Sequence, residues 1–222
     1  MRCYRVMLAV SCCAVLAVVG GCSSRWAMDV PEYNAKYSRP YPEDELETLA
    51  RKAKQSADAR FVAGRSGAYA GGAGQTDPGA AGAELGVFHY FDEHTEGRAS
   101  LAWLASSAAD NSFLGANLGA RVQTPSRVAP FAGVGMFGGY SDVTEAADND
   151  RRDNDDDGAI DELGEEKTTI DGVLGAVNPE VGVHFWMTSQ LRLTASASYY
   201  ITTEGRDHDF WMYGVNLGWL RW

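Results

Sequence analysis

From Val181 to Thr202, apolar and polar side chains take turns along the chain. Val181, Val183, Phe185 and Met187 fall on one side, with Gly182, His184 and Trp186 on the other. Past the polar Thr188, Ser189 and Gln190, a second run sets Leu191, Leu193, Ala195, Ala197, Tyr199 and Ile201 against Arg192, Thr194, Ser196, Ser198, Tyr200 and Thr202. Only an extended strand brings every second side chain to the same face, so the segment predicts two strands joined by a tight turn. Leu114, Ala116, Leu118, Ala120 and Val122 likewise oppose Gly115, Asn117, Gly119 and Arg121, and Trp211, Tyr213, Val215, Leu217 and Trp219 oppose Met212, Gly214, Asn216 and Gly218. Eight strands are predicted, at about 61–71, 82–91, 97–106, 112–123, 127–140, 169–187, 190–203 and 209–222, with a bulge near Pro179.

The polar faces of these strands mix glycine, hydroxyls and arginine. Such a face is wrong for a dry sandwich core, and it suits the lumen of a barrel whose apolar face meets lipid. The expected fold class is therefore all-β: an eight-stranded antiparallel up-and-down membrane β-barrel preceded by a short N-terminal helix. Loop lengths agree with this order. The connections at Asp92–Glu96, around Pro125 and at Ser189–Gln190 are short, whereas Gly71–Ala81, Ser107–Asn111, Ser141–Thr168 and Glu204–His208 fall at the opposite end. Membrane barrels place short turns on the periplasmic side and long loops outside.

Residues 1–21 carry Arg2 and Arg5, an apolar run from Val6 to Val19, then Gly20 and Gly21. That is an export-signal pattern, too short to span a bilayer as a lasting helix. Val19-Gly20-Gly21-Cys22 resembles the lipobox of bacterial lipoproteins, which implies acylation of Cys22; the alternative is an ordinary signal peptide cut nearby. Ser23 and Ser24, with no aspartate, resemble the outer-membrane sorting pattern of such lipoproteins. Residues 22–60 are expected to form a periplasmic tether with a short helix; the alternative is a helix that packs on or into the barrel mouth. Within it Pro42, Glu43, Asp44 and Glu45 open a helix, Arg51, Lys52 and Lys54 follow, and Leu46, Leu49, Ala50, Ala53 and Ala57 form a thin apolar stripe. The barrel is expected over 61–222, with 141–168 as an acidic outer loop. The final aromatic strand ending on Trp222, and the proline-, aromatic- and glycine-rich run from Arg127 to Asp142, resemble small eight-stranded outer-membrane β-barrel proteins.

Charge and cysteine content narrow the function. Without residues 1–21 the chain loses two of its 19 basic residues and no acid, leaving 17 against 30, a formal −13. That balance excludes nucleic acid as a partner. Cys3, Cys12, Cys13 and Cys22 all lie in or beside the signal, so no disulfide is expected beyond it. The resemblance implies a monomer whose partners are outer-membrane lipid and the barrel-insertion machinery.

Candidate chemistry falls into three groups. Glu84, Asn117, Arg121, His184 and Arg192 are expected to form a polar network in the lumen, which eight strands leave just filled by side chains. In the acidic loop, Asp153, Asp155, Asp157 and Gly158 fit a D-x-D-x-D-G calcium motif, with the Ala159 carbonyl and Asp161 as further oxygens. Gly164 occupies the place of the bidentate acid, and Glu165 follows one residue late; the alternative is a solvated acidic loop. The histidines His89, His94, His184 and His208 lack the serine two residues on that marks barrel lipid A deacylases, so no catalytic residue is assigned. Trp103, Tyr199, Trp211, Tyr213 and Trp219 read as lipid-facing or girdle positions. The expected role is a non-catalytic surface or structural barrel with Ca2+ as its one candidate cofactor. Two other readings stay open: a lipid-anchored periplasmic barrel holding a small apolar ligand, and a lipid-modifying enzyme with His, Ser and acid clustered at one rim.

Overall fold

Eight strands pair in chain order, each antiparallel to its neighbours, and the last returns to the first to close a barrel. They are β1 (Ser66–Thr76), β2 (Gly79–Tyr90), β3 (Thr95–Ala105), β4 (Ser112–Gln123), β5 (Val128–Ala146), β6 (Glu166–Trp186), β7 (Leu191–Thr202) and β8 (Phe210–Arg221). The closing ladder runs from Ser66 opposite Arg221 to Gln75 opposite Met212. Closure gives each strand a neighbour on both sides within the barrel wall, and the longest runs past an outer neighbour are 143–146 of β5 and 166–175 of β6. This computed structural model describes residues 25–42, 44–76, 79–106, 112–146 and 166–221. Cys22, the signal segment and the calcium-motif residues Asp153, Asp155, Asp157, Ala159, Asp161 and Glu165 lie outside the described residues.

Several element boundaries differ from the sequence expectation. β1 begins five residues later than predicted, because Phe61 and Val62 belong to a 3₁₀ turn (Arg60–Val62) buried against the barrel end. Gly64, at φ +74°, turns the chain into the strand, and its N–H donates to the Tyr90 carbonyl at 2.9 Å. The Gly/Ala-rich stretch expected as a loop is a regular ladder, Gly71 opposite Glu84 through Thr76 opposite Gly79. Side chains that small carry no alternation signal, while backbone pairing does not need one. β5 and β6 extend to Ala146 and from Glu166, so the long connection is shorter than expected and the two strands far outrun their neighbours. No bulge occurs at Pro179. The ladder to β7 lapses over Asn178 and Pro179 and resumes in the same register, while the register shift lies between Val143 and Thr144.

The N-terminal segment forms two helices instead of one, α1 (Pro31–Tyr37) and α2 (Glu45–Ala57). Proline opens α1, where its missing N–H costs nothing. Asp44, not Pro42, starts α2: its carboxylate accepts the Leu46 N–H at 2.8 Å, satisfying a donor the helix cannot. The segment is not a loose tether. Ala27, Val30, Tyr33, Ala59, Phe61 and Val62 are buried against Tyr69, Phe88, Tyr90, Trp186 and Leu220 at the short-turn end of the barrel. Asp29 accepts a 2.5 Å bond from Ser189 there, and the Arg127 guanidinium donates to the Trp186 carbonyl at 3.0 Å while lying over the Trp26 ring. Together these groups plug that end. Among the described residues no helix is long and apolar enough to cross a membrane.

Candidate functional site

Period two sends alternate side chains of every strand into the barrel. The outward rows are apolar all the way round, from Val87 and Leu101 through Leu118 (64% exposed), Val134, Val181 and Leu193 to Leu217. Trp103, Trp211, Tyr213 and Trp219 also point outward and are exposed, and Tyr199 packs beside Trp211. The inward rows carry charge. Glu84, Asn117, Arg121, His184 and Arg192 are all buried inside. With them stand three residues that alternation in the sequence had not singled out, Glu96, Arg98 and Glu180.

The network they form is balanced, three carboxylates against three guanidinium groups. Arg121 grips Glu180 with two bonds of 2.9 and 2.7 Å, a forked geometry that fits a carboxylate. The same guanidinium reaches Glu96 at 3.1 Å. Arg121 on β4 meets Glu180 on β6 across the intervening β5, and Gly133 lies opposite both in the ladders. A Cβ on Gly133 would come within 2.9 Å of Arg121 Cγ. Glycine there leaves the arginine its path.

Arg192 crosses the lumen to Glu96, also donates to the Tyr90 hydroxyl, and lies over the Phe88 ring at 4.0 Å. Arg98 joins the halves, 3.5 Å from both Glu84 and Glu180. Glu84 pairs with Arg98 through Oε1, which also accepts from the Tyr69 hydroxyl at 3.0 Å, while Oε2 accepts from Asn216 at 3.2 Å. His184 shares a 2.8 Å bond with Thr194, stacks on Phe131, and stands 3.8 Å from Glu96. Asn117 donates to Tyr200 at 3.0 Å, toward the opposite end.

A second apolar cluster caps the network on that side, where Leu104, Phe113, Phe137, Leu174, Tyr200 and Phe210 are buried together. The interior is thus layered: plug, ionic belt, aromatic cap. A cleft of about 10 Å³ lies within it, between Glu84, Arg98, Glu180 and Ser196, with Ala73, Ala102 and Met212 also on its wall. A cleft of that size has no room for a small apolar ligand.

The signal for the missed residues was parity. Glu96, Arg98 and Ser100 alternate with Gly97, Ala99 and Leu101, and Glu180 shares its parity with His184 and Trp186. Assigning Glu96 to the turn before β3 hid the first of these rows.

The histidines do not converge. His89 faces outward at the rim, where its Nδ1 shares a 2.9 Å bond with the cross-strand Ser66. No carboxylate pairs with His89 among the described residues, so the dyad lacks the acid that would orient the ring. His94 sits in the β2–β3 turn and His208 in a 3₁₀ turn (Arg206–His208) before β8. Among the described residues no group of three or more His, Cys, Asp or Glu is placed to hold a metal ion.

Outside the strands, Asp58 organises the plug. It accepts from Lys36 Nζ at 2.5 Å and Tyr37 Oη at 2.7 Å. Burial pushes its carboxyl up, but these bonds outweigh burial and hold it below the ordinary carboxylate range. Burial, with Asp58 alongside, raises the Tyr37 phenol in turn.

No protein-family model matches the chain, and no curated protein does. Among solved structures it is similar to the N-terminal β-barrel domain of Pseudomonas aeruginosa OprF, at 13% identity and a TM-score of 0.48, covering 72% of this chain and 98% of that one. It is similar to Ail, the attachment invasion locus protein of Yersinia pestis, at 14% identity and 0.46, covering 72% and 99%. The outer membrane protein OprG from Pseudomonas aeruginosa gives 11%, 0.46, 72% and 96%. By its own strand order and closure, the chain is a small eight-stranded up-and-down β-barrel preceded by two short helices.

Proposed function

We propose that this chain is a non-catalytic barrel of the bacterial outer membrane with a surface or structural role, its plugged end on the periplasmic side. One observation carries the reading: the outward rows are apolar around the barrel while three carboxylates and three guanidinium groups, linked by five ion pairs, fill the inside. A soluble barrel needs the reverse, since water would wet the apolar rows while the interior was filled with charges whose pairing at best offsets their desolvation. In a bilayer the apolar rows meet acyl chains and the charges meet one another. The filled lumen speaks against a pore, and the plug adds a second barrier. Nitroxide labels at Leu193 and Thr194 in the barrel folded into phospholipid vesicles test this. Leu193 should collide with lipid-dissolved oxygen and Thr194 with neither oxygen nor a water-soluble relaxant. Hydrocarbon contact at Thr194, or water contact at both, would overturn the reading.

Two parts of the proposal rest on residues 22 and 153–165. Acylation of Cys22 would add an anchor beside the plug, and the mass of the mature N-terminus is its measure. Weak calcium binding by Asp153, Asp155 and Asp157 suits a motif without its terminal bidentate acid. Titration with millimolar calcium reads it directly.

A further inference from the structure

Helix α2 is fastened by its polar side and shows its apolar side to solvent. The Gln55 backbone carbonyl accepts from Trp26 Nε1 at 3.1 Å and from the Tyr33 hydroxyl, and its side-chain oxygen accepts from Tyr41 at 2.8 Å. Arg51 donates to the carbonyls of Pro40 and Arg39, both at 2.7 Å. Gln55 is buried as a result, and the helix cannot roll without breaking these bonds. Leu46 is left 76% exposed and Leu49 65% exposed, with Ala50, Ala53 and Ala57 exposed on the same stripe. The packing of a core helix is thus inverted.

The place of this helix selects its occupant. Ala57 accepts the Arg127 N–H at 2.6 Å, Ala59 donates to Pro125 at 3.3 Å, and Asp58 bridges Ser126, so the last turn of α2 is tied to the β4–β5 turn. Val122 and Val128 flank that turn as the last members of the outward apolar belt. The helix therefore ends where the belt ends. Its charges are sorted along its length: Glu45 and Glu47 lie in the first turn, Arg51, Lys52 and Lys54 in the half tied to the rim, and basic side chains are the ones that suit anionic lipid headgroups. A stripe of two leucines and three alanines between charged flanks, on a helix whose last turn is tied to the rim where the outward belt ends, has the character of a helix that lies in a membrane interface.

We infer that α2 seats its Leu46–Leu49–Ala53 face in the leaflet adjoining the plugged end, so that the plug is fixed both to the barrel and to the lipid around it. The inference rests on the membrane-barrel reading above. It is tested with the full chain folded into vesicles of phosphatidylethanolamine and phosphatidylglycerol, carrying a benzophenone amino acid at one position at a time: Leu46, Leu49, Glu47 or, as belt reference, Leu118. On irradiation, the yield of phospholipid adduct at Leu46 and Leu49 should approach that at Leu118, and Glu47 should give little. Adduct at Leu118 with none at Leu46 or Leu49 overturns the inference and leaves the barrel reading standing. Equal yields at Leu49 and Glu47 overturn it too, since the apolar side would then not be the seated one. A covalent dimer through Leu49 overturns it in favour of a second copy of the chain. Loss of adduct at Leu118 itself would bring down the membrane reading and the inference with it.

Discussion

The two ends of the barrel are both closed by apolar clusters, built by different means. At the end away from the helices, strands supply every group: Phe113 stacks on Phe137 at 4.3 Å and Tyr200 on Phe210 at 4.9 Å. At the other end about half of the cluster comes from residues 27–62, with Phe61 set edge-on to Trp186 at 6.1 Å. The first closure follows from strand pairing alone. The second is an added part, and the ionic belt between them feels both. A lumen that must hold charges dry can thus be sealed on one side by the wall itself and on the other by a separable stopper.

The largest expected effect comes from the layer the two ends share. Glu96→Ala removes the acid that serves both Arg121 and Arg192, and breaking one side of a buried pair costs about 3–5 kcal/mol. Urea unfolding from vesicles should show that loss whichever end is probed. A matched truncation separates the ends. Phe113→Ala should lower global stability by about 3 kcal/mol, whereas Phe61→Ala should weaken docking of the helical segment by about 2 kcal/mol. In the second case hydrogen exchange should rise in α1 and α2 and stay low in β3 to β5. Equal protection changes in both variants would erase the distinction between wall and stopper.

The smallest effect is electrostatic. Because the Asp58 carboxyl is held below its unfolded value, its stabilisation is complete above the ordinary carboxylate range. It is lost as pH falls through the lowered folded value. Exchange protection of the stopper should therefore drop on acidification below about pH 4, the unfolded carboxylate range. Asp58→Asn should start lower and show a flatter profile. The aromatic cap should be indifferent to both.

Alternation along the sequence makes most of the barrel legible. In β7, Arg192, Thr194 and Ser198 point inward as their parity requires, and Leu193 outward. The signal fails where side chains are too small to register a face, as in Gly71–Gly74, and where a charged residue sits next to a turn, as Glu96 does. Partners within the lumen are not readable at all. Whether Arg121 meets Glu84 or Glu180 depends on barrel closure and on the gap left at Gly133, and both are properties of ladders between strands far apart in sequence. The stopper escapes detection for a further reason. Its apolar residues are spread over the turn before α1, α1 itself and the 3₁₀ turn before β1, and the one stripe with a clear helical period is the stripe that faces away.

β5 and β6 run 19 and 21 residues where other strands run 11 or 12. At roughly 3.3 Å per residue, their shared ladder continues four pairs past Asp142, the last β5 partner of β4, which is on the order of 13 Å along the strands, and β6 runs ten residues past its last partner on β7. Anything approaching from that side meets this mast before it meets the wall, and the segment joining its two halves carries most of the chain's clustered aspartates. A barrel wall that ends at uneven heights thus holds the acidic stretch of residues 147–165 between the two strands that reach farthest.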